Sequence, residues 1–111
     1  SGKRNSLRGD KMRKPKLHQV MPGPSFEVVE DNGRSYWEVV ILDNMSDDNV
    51  HFETKGLKGW TPEDIAIAGG RECQEGNGVV SVRKFDKGLP IFFKIYRVQY
   101  AWNRWNVQAV S

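Results

Sequence analysis

Aromatic and cationic side chains crowd together towards the C-terminal end of the chain, where Lys94, Tyr96, Arg97, Tyr100, Trp102, Arg104 and Trp105 fall close in sequence. Rings that stack on bases, set beside cations that hold phosphates, are the ingredients of a single-stranded nucleic-acid surface. Lys94, Arg97, Tyr100, Trp102, Arg104 and Trp105 are therefore candidates for that chemistry. The same rings also suit the completion of a small core or a homodimer contact, and at least two of them are expected to be core. A second cationic group lies at the other end, in Lys3, Arg4, Arg8, Lys11, Arg13, Lys14 and Lys16. Such a run binds phosphate by releasing counterions, serves as a nuclear-import signal, or simply keeps a tail in solution.

Catalytic chemistry finds little to work with. The sequence contains no His-x-His, no Cys-x-x-Cys, no glycine-rich loop ending in Lys-Ser/Thr and no Gly-x-Ser-x-Gly. Asp47 and Asp48 are adjacent, so in a strand they would point to opposite faces, and His18 and His51 stand alone. The expectation is a binding protein rather than an enzyme, with no cofactor and no metal. Cys73 is the only cysteine. It cannot form an intramolecular disulfide, which favours a reducing compartment, the nucleus first and the cytoplasm second.

These candidates need elements to position them. A chain of 111 residues holds one domain, and its charge divides it. Residues 1–17 carry seven Lys or Arg against one Asp, a balance of +6, while the remainder of the chain sums to −3. Residues 1–20 are accordingly expected to be a basic, mobile arm with too little apolar surface to offset its ordering entropy. Residues 21–111 form the folded unit, entered through Met21-Pro22-Gly23-Pro24. The longest apolar runs, Val39–Leu42 and Pro90–Phe93, are far short of a membrane span. No charged-then-apolar leader opens the chain, so no secretory signal is expected.

Within the domain, Ser25–Glu30 reads as a strand that turns at Asn32-Gly33, where both central residues must tolerate positive φ. Ser35–Leu42 is the returning strand, rich in β-branched and aromatic residues and apolar on both faces. Asn49–Glu53 alternates as a third strand. Thr61-Pro62-Glu63-Asp64 has a Thr cap, Pro at the first helical position and an acid three residues beyond the cap, which starts a short helix. Ile65-Ala66-Ile67 reads as a short closing strand, and Gly69–Gly78 as a polar connection. Val79–Lys84 and Pro90–Tyr100 are strands flanking a turn at Asp86-Lys87-Gly88. The C-terminus fits two patterns: Val98, Trp102 and Trp105 at helical spacing, or Trp105, Val107 and Ala109 in a strand. The fold class is mainly β, a small and strongly bent antiparallel barrel of Tudor, SH3-like or OB-like kind.

The order of elements resembles a known family. Phe26-Glu27-Val28, the Asn-Gly turn, Tyr36-Trp37-Glu38-Val39-Val40, Val50-His51-Phe52-Glu53 and Gly59-Trp60-Thr61-Pro62-Glu63-Asp64-Ile65 are similar to a Tudor-superfamily repeat of the Agenet type. The resemblance covers about residues 25–68. Residues 76–111 are then a second, incomplete repeat or a set of added strands. Asn32-Gly33-Arg34 entering a long strand, the basic arm and the aromatic C-terminus also resemble the small RNA-binding replicase subunit of coronavirus relatives, although that family's glycine-spaced C-terminal helix is missing.

The Tudor resemblance implies a box of rings that holds a methylated Lys or Arg by cation–π contact. Tyr36 or Trp37, Phe52 and Trp60 match the positions of its walls. Asp64, together with Asp43, Asp47, Asp48 and Glu63, would supply an acidic rim for a cationic peptide from a histone or ribonucleoprotein tail. Core packing is the competing account of Trp37 and Phe52, and solvated turn charges that of the acids. Two functions are thus carried forward: a Tudor-like reader whose basic arm touches nucleic acid, and a small β protein that binds single-stranded RNA or DNA.

Overall fold

The computed structural model describes residues 14–20, 33–43 and 50–110. The expected strand at Ser25–Glu30, Asn32 of the first turn, the acids Asp47 and Asp48, and the arm residues 1–13 lie outside the described residues, as does the side chain of Asp43. The chain is mainly β. Its strands are β1 (His18–Val20), β2 (Tyr36–Asp43), β3 (Val50–Glu53), β4 (Asn77–Asp86), β5 (Leu89–Ala101) and β6 (Arg104–Ala109). Among the described residues one helix, α1 (Pro62–Arg71), and a short 3-10 turn at Gln74–Gly76 join β3 to β4. The strands make a single six-stranded sheet in the order β1-β3-β2-β4-β5-β6, antiparallel throughout. Among the described residues the sheet stays open, with β1 and β6 as its edges.

His18–Val20, at the end of the span assigned to the arm, pair with β3. β4, in the span read as a second incomplete repeat or added strands, pairs with β2 along most of its length.

The helix begins where its signals put it. Asp64 N–H donates to Thr61 Oγ1 at 3.2 Å and Thr61 N–H donates to Asp64 Oδ2 at 3.0 Å, a reciprocal cap that satisfies two orphan donors. It then runs on through Ile65-Ala66-Ile67, the stretch expected to be a strand, and through Gly69 and Gly70 to Arg71. Isoleucine favours strands only where a sheet is there to receive it, and here the cap has already committed the chain to helix. The two glycines are explained by close approach. A Cβ on Gly69 would lie 2.6 Å from Val39 Cγ2, and one on Gly70 2.7 Å from Trp105 Cζ3 and 2.9 Å from Val98 Cγ2. Only a bare backbone lets α1 lie this close to the sheet.

Those neighbours define the covered face. Strand alternation places Trp37, Val39 and Ile41, Val80 and Val82, Tyr96 and Val98, and Trp105 and Val107 on the helix side. With Phe52, Ile65, Ala66 and Cys73 they form the core or pack against it. Tyr96 hydrogen-bonds Glu63 in the first turn of α1; burial first, then the Glu63 charge and this bond, raise its phenol pKa above the usual value. At the C-terminus the strand pattern prevails: Tyr100 pairs with Trp105 and Val98 with Val107. No helix among the described residues is long and apolar enough to cross a membrane.

Candidate nucleic-acid interface

The face of the sheet opposite α1 has two halves with different electrostatics. On the β3–β2–β4 half, register brings together groups far apart in sequence. Glu38 lies opposite both Glu53 and Arg83. Arg83 Nε–H donates to Glu38 Oε1 at 2.5 Å, and His51 Nδ1 sits 3.9 Å from Glu38 Oε2. Arg34 donates to Glu53 Oε1 at 3.1 Å, with His18 Nε2 at 4.0 Å from the same oxygen. The two guanidiniums also bracket a pair of stacked rings. Arg34 is 4.3 Å from the Tyr36 centroid, Tyr36 stacks on Phe85 at 4.9 Å with planes 10° apart, and Arg83 is 5.2 Å from the Phe85 centroid. Arg34, Tyr36, Phe85 and Arg83 thus form one column whose two cations are answered by Glu53 and Glu38. Glu38, His51, Tyr36, Val40 and Ser81 are buried. Of this cluster only Tyr36 was named as a site residue from the sequence, and there as a cage wall. Its only signal there is a lone Glu38 in an otherwise apolar run of β2 and Arg83 beside Lys84 in β4, and pairing across 45 residues cannot be read from that.

The β5–β6 half is different. Alternation from Val98 and Trp105, which face α1, puts Phe93, Arg97, Gln99, Arg104, Asn106 and Gln108 on the opposite face. Register sets Arg97 beside Gln108 and Gln99 beside Asn106. All six side chains are exposed, Phe93 by 58%. Among the described residues no carboxylate stands within ion-pair distance of Arg97 or Arg104.

The β5–β6 turn adds a ring. Trp102 and Asn103 both have positive φ, 58° and 61°, the pattern of a type I′ hairpin turn. Asparagine tolerates that region, but a bulky aromatic there is an outlier. The Trp102 side chain is 92% exposed, so no packing of its own offsets the backbone cost. Tyr100 is half exposed, its ring 5.3 Å from that of Trp105. Trp105 is partly buried against Gly70, with Arg71 over its face at 5.9 Å.

The candidates named from sequence divide between the two faces. Arg97 and Arg104 are exposed on the face opposite α1, and Trp102 is exposed in the turn at the end of the β5–β6 hairpin. Tyr100, Trp105 and Lys94 lie on the helix side, Trp105 as part of the packing. Lys14 and Lys16 are exposed, while Lys3, Arg4, Arg8, Lys11 and Arg13 lie outside the described residues. Tyr36 and Trp37, the alternatives for one cage wall, are consecutive strand residues on opposite faces. Trp37 and Phe52 are buried in the core, and Trp60 packs partly buried against it. Their faces also have cations from within the chain, Lys84 Nζ at 5.2 Å from the Trp37 ring and Arg34 over Tyr36. Asp64 is engaged as the reciprocal cap of α1. The indole N–H of Trp37 is buried with no hydrogen-bond partner, its ring edge-on to Phe92 at 6.2 Å. Among the described residues no group of three or more His, Cys, Asp or Glu side chains is placed to hold a metal ion. Comparison with family models, curated proteins and solved structures returns no match.

Proposed function

We propose that this chain is a non-enzymatic binding module that takes single-stranded nucleic acid across the β5–β6 half of the sheet face opposite α1. The observation that carries the reading is Trp102, a ring held 92% exposed on a strained turn at the end of a strip bearing Arg97 and Arg104. Trp102 and Phe93 supply flat apolar surface for bases, Arg97 and Arg104 charge for phosphates, and Gln99, Asn106 and Gln108 hydrogen-bonding amides. Stacking is tolerant of base identity, so the module has weak sequence preference. The basic residues Lys3, Arg4, Arg8, Lys11, Arg13, Lys14 and Lys16 add attraction that increases the association rate and fades with salt. The β3–β2–β4 half takes no part, because Glu38 and Glu53 already answer Arg83 and Arg34.

The test is fluorescence anisotropy with a labelled single strand about ten nucleotides long, repeated across a salt series. Replacing Arg97 and Arg104 with alanine should weaken binding and lower the slope of log K against log salt by about 0.7 for each phosphate deprived of its cation. Both side chains are exposed, so the fold should be unaffected. An unchanged affinity and slope in the double variant would remove this half-face from the site and leave the basic arm as the whole of any nucleic-acid attachment.

A further inference from the structure

β6 has β5 on one side and, among the described residues, no strand on the other. Its pairing with β5 runs from Arg104 to Ala109 without a shift of register. Just beyond, Val110 N–H donates to Ile95 C=O at 2.9 Å, so Val110 turns its backbone groups towards β5. Alternation then turns those of Arg104, Asn106 and Gln108 the same way, and directs the N–H and C=O of Trp105, Val107 and Ala109 outwards. Such an edge is a template for another strand, and most are blunted by lysine, proline or a bulge. β6 reads Arg-Trp-Asn-Val-Gln-Ala and carries none of the three. Ala109 is exposed, and Trp105 and Val107 are half-buried.

We infer that the outer edge of β6 is a docking site for a second copy of this chain, the two β6 strands pairing antiparallel about a twofold axis at Val107. A copy is the occupant because β6 complements itself in this register. Val107 meets Val107 of the second copy and Trp105 meets its Ala109, so the residues that pair are those whose backbone groups point outwards. On the helix side the register sets the largest side chain of the strand beside the smallest. On the other face Asn106 falls opposite Gln108 of the copy, and each amide can both donate and accept. Charge agrees. Arg104 is the strand's only ionised residue, and the register holds its two copies at opposite ends of the pair, so no like charges meet. The interface is isologous and closes on itself, which leaves no free β6 edge to propagate a fibre. The inference is independent of the nucleic-acid reading, since it rests on the backbone edge and on the helix-side residues Trp105, Val107 and Ala109. Asn106 and Gln108 keep their side chains on the face opposite α1.

The test is sedimentation velocity of the full chain without nucleic acid. One strand per copy is a small interface, so dimer should appear between about 10 µM and about 1 mM. Ala109→Pro removes an outward N–H and no bond to β5, and the twofold axis doubles the loss; association should weaken about tenfold or more. A chain carrying Asn106→Lys with Gln108→Lys, changed only at exposed positions, serves as a second variant that folds. It sets like charges opposite each other across the axis and should weaken association as well. Register is read by cross-linking. A mixture of Asn106→Cys and Gln108→Cys chains should form a disulfide-linked dimer on mild oxidation. Either chain alone should not, because its two new thiols are out of register by two residues, with Cα atoms more than about 7 Å apart. Cys73 is buried and takes no part. A monomer across the whole range, association undiminished in both variants, or cross-linking as fast in either chain alone as in the mixture would overturn the inference.

Discussion

Trp102→Asn separates what the β5–β6 turn costs from what it provides. A bulky residue at positive φ carries about 1–3 kcal/mol of backbone strain, and asparagine relieves much of it. The side chain removed is 92% exposed and gives up almost no burial. The variant should therefore be about 1 kcal/mol more stable, a rise in Tm of about 4 °C for a domain of this size. Binding should move the other way. Removing one base stack costs about 1–3 kcal/mol, so affinity for a short single strand should fall about 5- to 150-fold. Urea unfolding followed by the remaining indoles gives the first number, and anisotropy at fixed salt the second. The pairing is diagnostic, since a general loss of structure lowers both quantities and an inert turn changes neither. A variant no more stable than the parent that binds the oligonucleotide within about twofold would refute the reasoning on strain and on stacking together.

Other substitutions probe the scaffold. Arg83→Met leaves Glu38 buried with only His51 nearby, and should cost about 3 kcal/mol in urea unfolding; adding Glu38→Gln should recover part of it. Gly70→Ala drives a methyl into Trp105 and Val98 and should cost about 1–3 kcal/mol, with a change in the Trp105 environment visible in fluorescence. Tyr96 ties stability to high pH. Its phenol pKa is raised by burial and by Glu63, so the fold favours the protonated form. That contribution is fully present below the ordinary value of 10 and is lost as pH rises through the raised one. Thermal melts should be less sensitive to alkali in Tyr96→Phe, and an identical alkaline limb would contradict this.

The legible parts of the sequence were those written in neighbouring residues. Thr61 and Asp64 announced the start of α1 because a cap is a local exchange of hydrogen bonds. The Asp86-Lys87-Gly88 turn was legible for the same reason, with Lys87 and Gly88 at φ 53° and 82°. The end of α1 was hidden, because Gly69 and Gly70 look like a turn until Val39, Val98 and Trp105 are known to lie against them. Arg97, Trp102 and Arg104 were named from composition and are exposed along the β5–β6 hairpin and its turn. Lys94 and Trp105 were named with equal reason and lie on the other face, since only the register of β5 tells one residue of an alternating strand from the next. Tyr36 and Trp37 differ in the same way. The Glu38–Arg83 pair depends on α1 carrying the chain from beyond β3 over β2 to β4, which no local pattern reveals.

The strand order also has a consequence for how the molecule assembles. Asn77–Ala109 is a three-stranded meander in which every pairing joins consecutive strands, while β2 meets β4 only by closing a loop of about 45 residues. Neighbouring strands find one another sooner than distant ones. The strip bearing Arg97 and Arg104 should therefore take shape before Glu38 and Glu53 reach the cations of the other half. For an interval during folding, Arg83 and Arg34 are uncompensated as well, and the nascent sheet is more basic than the finished one. Pulse-labelled exchange should show protection across β4, β5 and β6 ahead of β2, and the reverse order would place the nucleus in the crossover. A polyanion present during refolding would meet a chain more cationic than the one it leaves.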